Sequence, residues 1–218
     1  MPVHEQVALS EPRASIAFEL RAESRARNVR SIAAMNIIAS PGQLRASFMR
    51  WALVLVPLVL LLGFLSGMVA GSTAQNPWFM GLNKPAIYPL PATFGIVWSL
   101  LYLMMGVALA MVAAARGARG RGLALAVFGV QFVLNLAWSP LFFAMHEISR
   151  ALYLLFAIDL AVLATVILFA RVRRLTLLLL LPYLAWVLFA TVLNWQFLDA
   201  NRQFDGMPTA NTVARVQF

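Results

Sequence analysis

Polar and aromatic side chains recur on one face of an uncharged stretch near the middle of the chain. The positions follow the spacing i, i+4, i+7 and i+11, and they hold Gln131, Asn135, Trp138 and Phe142. Residues at this spacing share one side of an α-helix. An amide in apolar surroundings is costly unless it is paired, and an indole supplies a flat surface with one N–H donor. This face therefore indicates either a binding pocket or a set of interhelical hydrogen bonds.

Two other uncharged stretches carry faces of the same kind. Near the C-terminus one face holds Tyr183, Trp186, Ala190 and Asn194. Ala190 lies about one turn from Trp186 and leaves space beside the indole. In an earlier stretch, Trp98 and Tyr102 are also one turn apart. Facing aromatic rings with a few polar groups predict a pocket for a flat, mostly apolar ligand. The alternative is aromatic packing between helices.

Several kinds of catalytic chemistry lack the residues they need. There is no cysteine, and the two histidines, His4 and His146, have no partner at ligand spacing. We therefore expect no thiolate or histidine metal site, no Ser-His-Asp triad and no fixed cofactor, and we assign no catalytic residue. Asp159 is the one ionisable residue inside an apolar stretch. A proton relay, a counter-ion, a protonated acid bonded to a neighbouring backbone and a group that snorkels through a thin region of the membrane all remain open for it.

The elements that must position these residues are predicted to be membrane-spanning helices. Of the 218 residues, 62% are apolar and only 11% are charged, whereas charged residues make up about a quarter of a soluble domain. Stretches with at most one charge cover residues 51–70, 93–115, 122–145, 151–170 and 175–198. About 20 apolar residues in a helix cross a bilayer core, where backbone groups must pair within the helix. The sequence thus predicts an all-α bundle of five transmembrane helices.

Basic residues are distributed unevenly over the connecting segments. Thirteen fall on one side, with seven in residues 1–50, three in 116–121 and three in 171–174. Four fall on the other side, including Lys84 in the 71–92 loop. Because basic residues concentrate in cytoplasmic loops, we expect a cytoplasmic N-terminus and a periplasmic 71–92 loop in a bacterial inner membrane. The net charge of +9 then reports topology and requires no nucleic-acid partner.

Segments outside the five spans allow more than one interpretation. Residues 1–48 form a polar, Arg-rich tail, which is interpreted as a disordered arm, an amphipathic surface helix or a start assigned too early, with Met35 or Met49 as the true start. Residues 202–218 form a short C-terminal tail. The 71–92 loop is predicted to be a lid or an interfacial aromatic anchor. The row Gly63, Gly67 and Gly71 favours packing within the bundle over a dimer seam.

Three motifs, in order along the chain, resemble the TspO/MBR family of tryptophan-rich sensory proteins and translocator proteins. The first runs from Asn83-Lys84-Pro85 to Trp98 and Tyr102. The second covers residues 135–143, with the sequence NLAWSPLFF, and the third covers residues 181–194, beginning with LPYLAW. The resemblance extends over about residues 49–201. It implies a five-helix membrane domain with a pocket under the first loop.

The resemblance also implies a ligand and the residues that hold it. Porphyrin or a similar flat molecule would be a ligand rather than a cofactor, membrane lipid would surround the protein, and a homodimer is common. The ligand-binding residues implied by position are Trp98, Asn135, Trp138, Trp186 and Ala190, to which the face of the fifth span adds Tyr183. Trp78, Lys84 and Pro85 would belong to the lid, and Lys84 is expected to face the ligand's carboxylates.

Three positions depart from the family pattern, and these departures help to rank the possible functions. Ile87 and Ala92 stand where the family has loop tryptophans, and Trp195 stands where a cholesterol motif has tyrosine. We therefore expect no cholesterol binding. A receptor-like or transporter-like membrane protein that binds porphyrin ranks first, and the alternatives are a light- or oxygen-dependent porphyrin-degrading enzyme and a regulatory membrane protein that acts through a partner.

Overall fold

The computed structural model describes residues 21–27, 41–72 and 75–207. Most of the predicted 1–48 tail and the end of the 202–218 tail lie outside these residues. Residues 21–27 form a short helical segment with an ion pair between Arg27 and Glu23 at 3.2 Å. The chain divides into two units, Met1–Leu44 and Arg45–Phe218. The cavity described below lies within the second unit.

Five of the helices are long and apolar enough to cross a membrane. In chain order the helices are α1 (Pro41–Val69), α2 (Pro77–Gly81), α3 (Pro91–Ala114), α4 (Arg121–Ser139), α5 (Ile148–Val172) and α6 (Thr176–Ala200). A π-helical turn, Pro140–Ala144, extends α4, and a 3-10 turn, Arg202–Phe204, follows α6. All of these except the short α2 and the 3-10 turn belong to the five spans. The predicted all-α, five-helix architecture is confirmed, and the described residues contain no β-strand.

The first helix begins earlier than the uncharged stretch that predicted it. Helix α1 starts at Pro41, ten residues before the expected span. The added residues include Arg45 and Arg50. The prediction is based on uncharged stretches and so leaves these residues out, but a helix can extend beyond the membrane. The predicted boundary between residues 48 and 49 therefore falls inside a helix.

The core of the bundle is a stack of aromatic and branched side chains between α4, α5 and α6. Phe128 stacks on Phe132 and on Phe169, with ring centroids 5.8 and 5.6 Å apart. Ile158 and Leu180 are buried in the same cluster. The opposite surfaces of these helices expose leucine, valine and phenylalanine, as expected for helices that face lipid.

Helix α1 approaches the bundle through two glycines. A Cβ atom built on Gly106 of α3 would lie 2.8 Å from the Cα atom of Val56 in α1, and one built on Gly63 would overlap the ring of Tyr102. The Ser66 hydroxyl also donates a hydrogen bond to the carbonyl of Leu136 at 2.6 Å. The Gly63 contact lies within the bundle, and the preferred interpretation of the whole glycine row stays a prediction.

Gly71 has a different role from the other glycines in its row, because it ends α1. Its φ of +62° lies in the left-handed region that glycine adopts without strain. The amide of Gly71 donates to the carbonyl of Met68 at 3.1 Å, and the amide of Ser72 donates to the carbonyl of Gly67 at 2.9 Å. This pair of bonds is a Schellman cap. It turns the chain out of the helix into the 71–92 loop.

Candidate functional site

A cavity of about 320 Å³ lies between the helices, on the side where the 71–92 loop covers them. All five long helices contribute to its wall, together with Phe79 and Tyr88 of the loop. Binding pockets in proteins span about 300–1,000 Å³, so this one is at the small end of the range. Five residues predicted to bind ligand line it: Trp98, Asn135, Trp138, Trp186 and Ala190.

Three indoles bring flat surfaces to the cavity from three helices. Trp98 of α3 stacks on Tyr102, and Trp138 of α4 stacks on Phe142, with ring centroids 5.2 Å apart in both pairs. Trp186 lines the cavity from α6. Because the rings are already packed against neighbours, their orientations are fixed before a ligand arrives.

A buried hydrogen-bond network lies at the inner end of the cavity. The Tyr102 hydroxyl donates to Asn135 Oδ1 at 3.3 Å, Asn135 Nδ2 donates to the Tyr183 hydroxyl oxygen at 3.1 Å, and that hydroxyl donates to Gln131 Oε1 at 2.9 Å. An amide has two N–H donors and an oxygen with two lone pairs. Asn135, which lines the cavity, therefore keeps one donor and one acceptor for a ligand. Tyr183 is fully buried behind it and acts by holding Asn135.

A second amide joins three helices near the loop end of the cavity. Trp138 Nε1 donates to Asn194 Oδ1 at 3.3 Å, and Asn194 Nδ2 donates to the carbonyl of Ile148 at 3.0 Å. The two interpretations that the sequence left open are therefore compatible. The polar groups make interhelical hydrogen bonds, and the two amide residues that accept and donate these bonds, Asn135 and Asn194, also line the cavity.

Asp159 is next in the sequence to a residue that lines the cavity, but it does not line the cavity itself. It follows Ile158, which lines the cavity, and its Oδ2 atom is 2.8 Å from the Thr191 hydroxyl of α6. The same hydroxyl lies 3.1 Å from the carbonyl of Val187. Asp159 Oδ1 is buried and has no hydrogen-bond partner among the described residues. The partner of Asp159 is thus a side-chain hydroxyl of a neighbouring helix and not a backbone group, and the options that the sequence left open for Asp159 stay predictions.

The loop over the cavity is built around the short helix α2. Asn76 caps its start, since Asn76 Oδ1 accepts a hydrogen bond from the amide of Phe79 at 3.1 Å, and Pro77 occupies the first turn. Trp78 is completely buried and stacks on His146, with ring centroids 4.6 Å apart. The predicted lid residue Trp78 therefore anchors the loop to the bundle and does not line the cavity.

Lys84 closes the other end of α2. Its ammonium donates to the carbonyls of Phe79 and Leu82, approaches that of Met80 at 3.4 Å, and lies 4.4 Å from the centroid of the Phe79 ring. An ammonium has three N–H donors, so these carbonyls engage all of them. Burial lowers the pKa of Lys84. Contact with a ligand's carboxylates, as expected from the sequence, would require these bonds to break.

The rest of the loop is directed into the cavity and fastened to α6. The amide of Tyr88 donates to the carbonyl of Pro85 at 3.0 Å, and this turn places Tyr88 in the cavity wall. Asn201, just after α6, accepts from the amide of Asn83 at 2.7 Å and donates to the carbonyl of Asn83 at 2.9 Å. Pro85 thus shapes the lid without lining the cavity, and the two asparagines clasp it to the bundle.

Sequence reasoning did not identify His146 or Asn201 as parts of the site. His146 has a positive φ of 60°, and its carbonyl accepts a hydrogen bond from the amide of Gly206 at 2.9 Å. Burial lowers its pKa, and a hydrogen bond with the backbone of Met207 opposes that shift. No local motif marks either residue as part of the site, because Trp78, which stacks on His146, and Asn83, which bonds Asn201, each lie more than 60 residues away along the chain.

Comparison with known proteins decides the family. The TspO/MBR family model matches residues 35–199, which is most of the chain and includes every lining residue named above. The chain belongs to the TspO/MBR family. The predicted resemblance is thereby confirmed, and with the five candidate spans it makes this an integral multi-pass membrane protein. The match begins within the predicted 1–48 tail.

Individual TspO/MBR relatives show similar levels of identity. The "Tryptophan-rich protein TspO" of Archaeoglobus fulgidus is 36% identical over 137 residues, covering 63% of this chain and 88% of the relative. The "Tryptophan-rich sensory protein" of Cereibacter sphaeroides is 33% identical over 158 residues, 70% of this chain and 94% of the relative. The human "Translocator protein" is 36% identical over 120 residues, 54% of this chain and 71% of the relative.

Proposed function

We propose that this protein binds a flat tetrapyrrole of the protoporphyrin class in the cavity, and that binding serves a sensory or transport role in the membrane. The observation that carries the proposal is the convergence of Trp98, Trp138 and Trp186 from three helices on one small apolar cavity. The printed names of the relatives, a sensory protein and a translocator protein, support the role.

The proposed binding mode uses stacking and one directed contact. Each ring pair adds about 0.5–1.5 kcal/mol beyond the burial of its area, so two or three indoles hold the macrocycle firmly. The free donor and acceptor of Asn135 hydrogen-bond to polar atoms of the ligand. Among the described residues that line the cavity there is no histidine, so the ligand is proposed to be the metal-free macrocycle. Its carboxylates lie at the loop end, where Lys84 contributes chiefly by keeping the lid closed.

The proposal is tested by titrating the purified protein with protoporphyrin IX and following tryptophan fluorescence. Trp186→Ala and Trp138→Phe should each weaken binding, about 3- to 10-fold, because each removes part of a stacking surface. Trp195→Ala is the matched control, since that indole is 58% exposed on the outer surface and does not line the cavity. Unchanged affinity in both cavity variants would refute the proposal.

We also propose that the membrane is a bacterial inner membrane with the 71–92 loop on the periplasmic side. The thirteen basic residues on the opposite side support this orientation. Because the chain has no cysteine, single-cysteine variants report topology without background. A membrane-impermeant maleimide should label Ala86→Cys but not Arg119→Cys in intact spheroplasts. The reverse labelling pattern would refute the orientation.

A further inference from the structure

The loop side of the cavity is closed by several independent contacts. Trp78, Phe79 and Leu82 are each at most 5% exposed. The clasp between Asn83 and Asn201 ties the loop to the end of α6 through hydrogen bonds of 2.7 and 2.9 Å. A ligand arriving from water at this face would have to break the clasp and unpack the buried rings.

The side of the cavity between α1 and α3 has a different character. Four of its lining residues are classed as exposed although they belong to its wall: Phe64 and Met68 of α1, and Pro91 and Gly95 of α3. Met68 is 76% exposed. A Cβ atom built on Gly95 would meet no atom within 4 Å. The cavity wall is therefore incomplete where it faces the surrounding lipid.

The contacts of α1 explain where the gap lies. Its close approaches to the bundle are at Val56 and Gly63, and the last of them is the hydrogen bond from Ser66 to α4, one turn before the helix ends. From Gly67 to Ser72 the described hydrogen bonds of α1 are local ones, such as the bond from the Ser72 hydroxyl to the carbonyl of Gly67 at 3.0 Å. The end of α1 nearest the loop is thus not fastened to α3 by a side-chain hydrogen bond that the described residues show.

We propose that the ligand enters sideways from the bilayer, through a portal between α1 and α3 bounded by Phe64, Met68, Pro91 and Gly95. The inference rests on the proposed function, and it narrows the ligand class to planar molecules that partition into the membrane leaflet on the loop side. Gly95 lies one turn from the start of α3, so the portal opens close to the membrane surface. There an amphiphilic macrocycle can keep its carboxylates among the lipid headgroups.

The test places a removable plug in the portal. Gly95→Cys is reconstituted in vesicles, modified with a benzyl methanethiosulfonate reagent, and mixed with vesicles that contain protoporphyrin IX while tryptophan quenching is followed by stopped flow. We expect association and dissociation to slow together, by about tenfold or more, which corresponds to a barrier raised by about 1.4 kcal/mol. The equilibrium Kd should stay nearly constant, and reduction with dithiothreitol should restore both rates.

The matched control is Gly129→Cys with the same adduct. Gly129 is also an exposed helical glycine with open space around it, and it lies on the outer face of α4 away from the cavity. Its adduct should leave both rates unchanged. In a second comparison Asn201→Ala, which opens the clasp, should not accelerate association, because the loop is not the route.

Two results with the modified Gly95→Cys protein would overturn the portal while leaving the proposed function intact. One is unchanged rates in the modified Gly95→Cys protein. The other is a raised Kd with unchanged dissociation, which would mean that the adduct occupies the binding site and does not obstruct a route. Faster association in Asn201→Ala would point to entry from water and overturn it as well. Absence of quenching in the unmodified protein would instead refute the proposed function, and the portal with it.

Discussion

Replacing Gly63 by alanine tests how closely α1 is held against the bundle. A Cβ atom at this position would lie 2.7 Å from Cδ2 of Tyr102, and closer still to two further ring carbons. The ring cannot simply swing away, because its hydroxyl donates to Asn135 at 3.3 Å and its face stacks on Trp98 at 5.2 Å. The added methyl group must therefore displace either the ring or the whole of α1.

The magnitude follows from three contributions. Overpacking a closely packed contact costs about 1–3 kcal/mol. Loss of the hydrogen bond from Tyr102 to Asn135 costs about 0.5–1.5 kcal/mol more. Alanine in place of glycine within a helix returns about 1 kcal/mol. The expected result for Gly63→Ala is a net destabilisation of about 0.5–3.5 kcal/mol.

The assay is thermal unfolding in detergent, followed by circular dichroism, with Gly129→Ala as the control. Gly129 lies in α4 with no atom within 4 Å of a built Cβ, so its alanine variant should be as stable as the parent or slightly more stable. In the double variant Gly63→Ala/Tyr102→Leu the clash is relieved. Its loss of stability should therefore be smaller than the sum of the losses in the two single variants. Equal stability of Gly63→Ala and Gly129→Ala would refute the reasoning.

Three further predictions concern single contacts. Burial lowers the pKa of His146 from 6.5, so the unfolded chain binds a proton before the folded protein does as the pH falls. The melting temperature should therefore decrease below about pH 6.5. In thermal melts over the same pH series, His146→Gln should not show this decrease. Thr191→Val should cost about 1–3 kcal/mol in thermal unfolding, because it removes a hydrogen-bond partner of Asp159, and Thr191→Val/Asp159→Leu should recover part of the loss. Asn201→Ala should speed hydrogen exchange at the Asn83 amide, and unchanged protection would contradict the clasp.

The spans and the cavity-facing residues were predictable because their determinants are local. A charge inside lipid is costly wherever the chain goes, so five uncharged stretches mark five spans without knowledge of their packing. Helical periodicity then fixes which side chains share a face. Asn135 and Trp138 reach the cavity together for this reason, whatever the arrangement of the neighbouring helices.

The loop contacts were not predictable because they depend on distant partners. Asn83 and Asn201 are 118 residues apart, and nothing in either local sequence marks the pair. Lys84 is the lone cation of the loop, which suggests a partner for ligand carboxylates. Its ammonium instead caps α2, a five-residue helix whose free carbonyls exist only once Pro77–Gly81 has folded. For Lys84 the partners are near in the sequence, but its role depends on whether this short helix forms and not on the type of the residue.

The hydrogen bonds around the cavity suggest how occupancy of the site would be transmitted. Asn135 joins α3 to α6 through Tyr102 and Tyr183, and Asn194 joins α4 to α5. A ligand that uses the free donor and acceptor of Asn135 therefore binds to a group that already holds helices together. A ligand that binds only the folded state adds about 2.7 kcal/mol of folding stability when its concentration is a hundred times its Kd. Occupancy of the cavity would therefore stabilise the whole bundle against unfolding. Under the proposed function, occupancy of the cavity is thus coupled through Asn135 to the stability of the helix bundle.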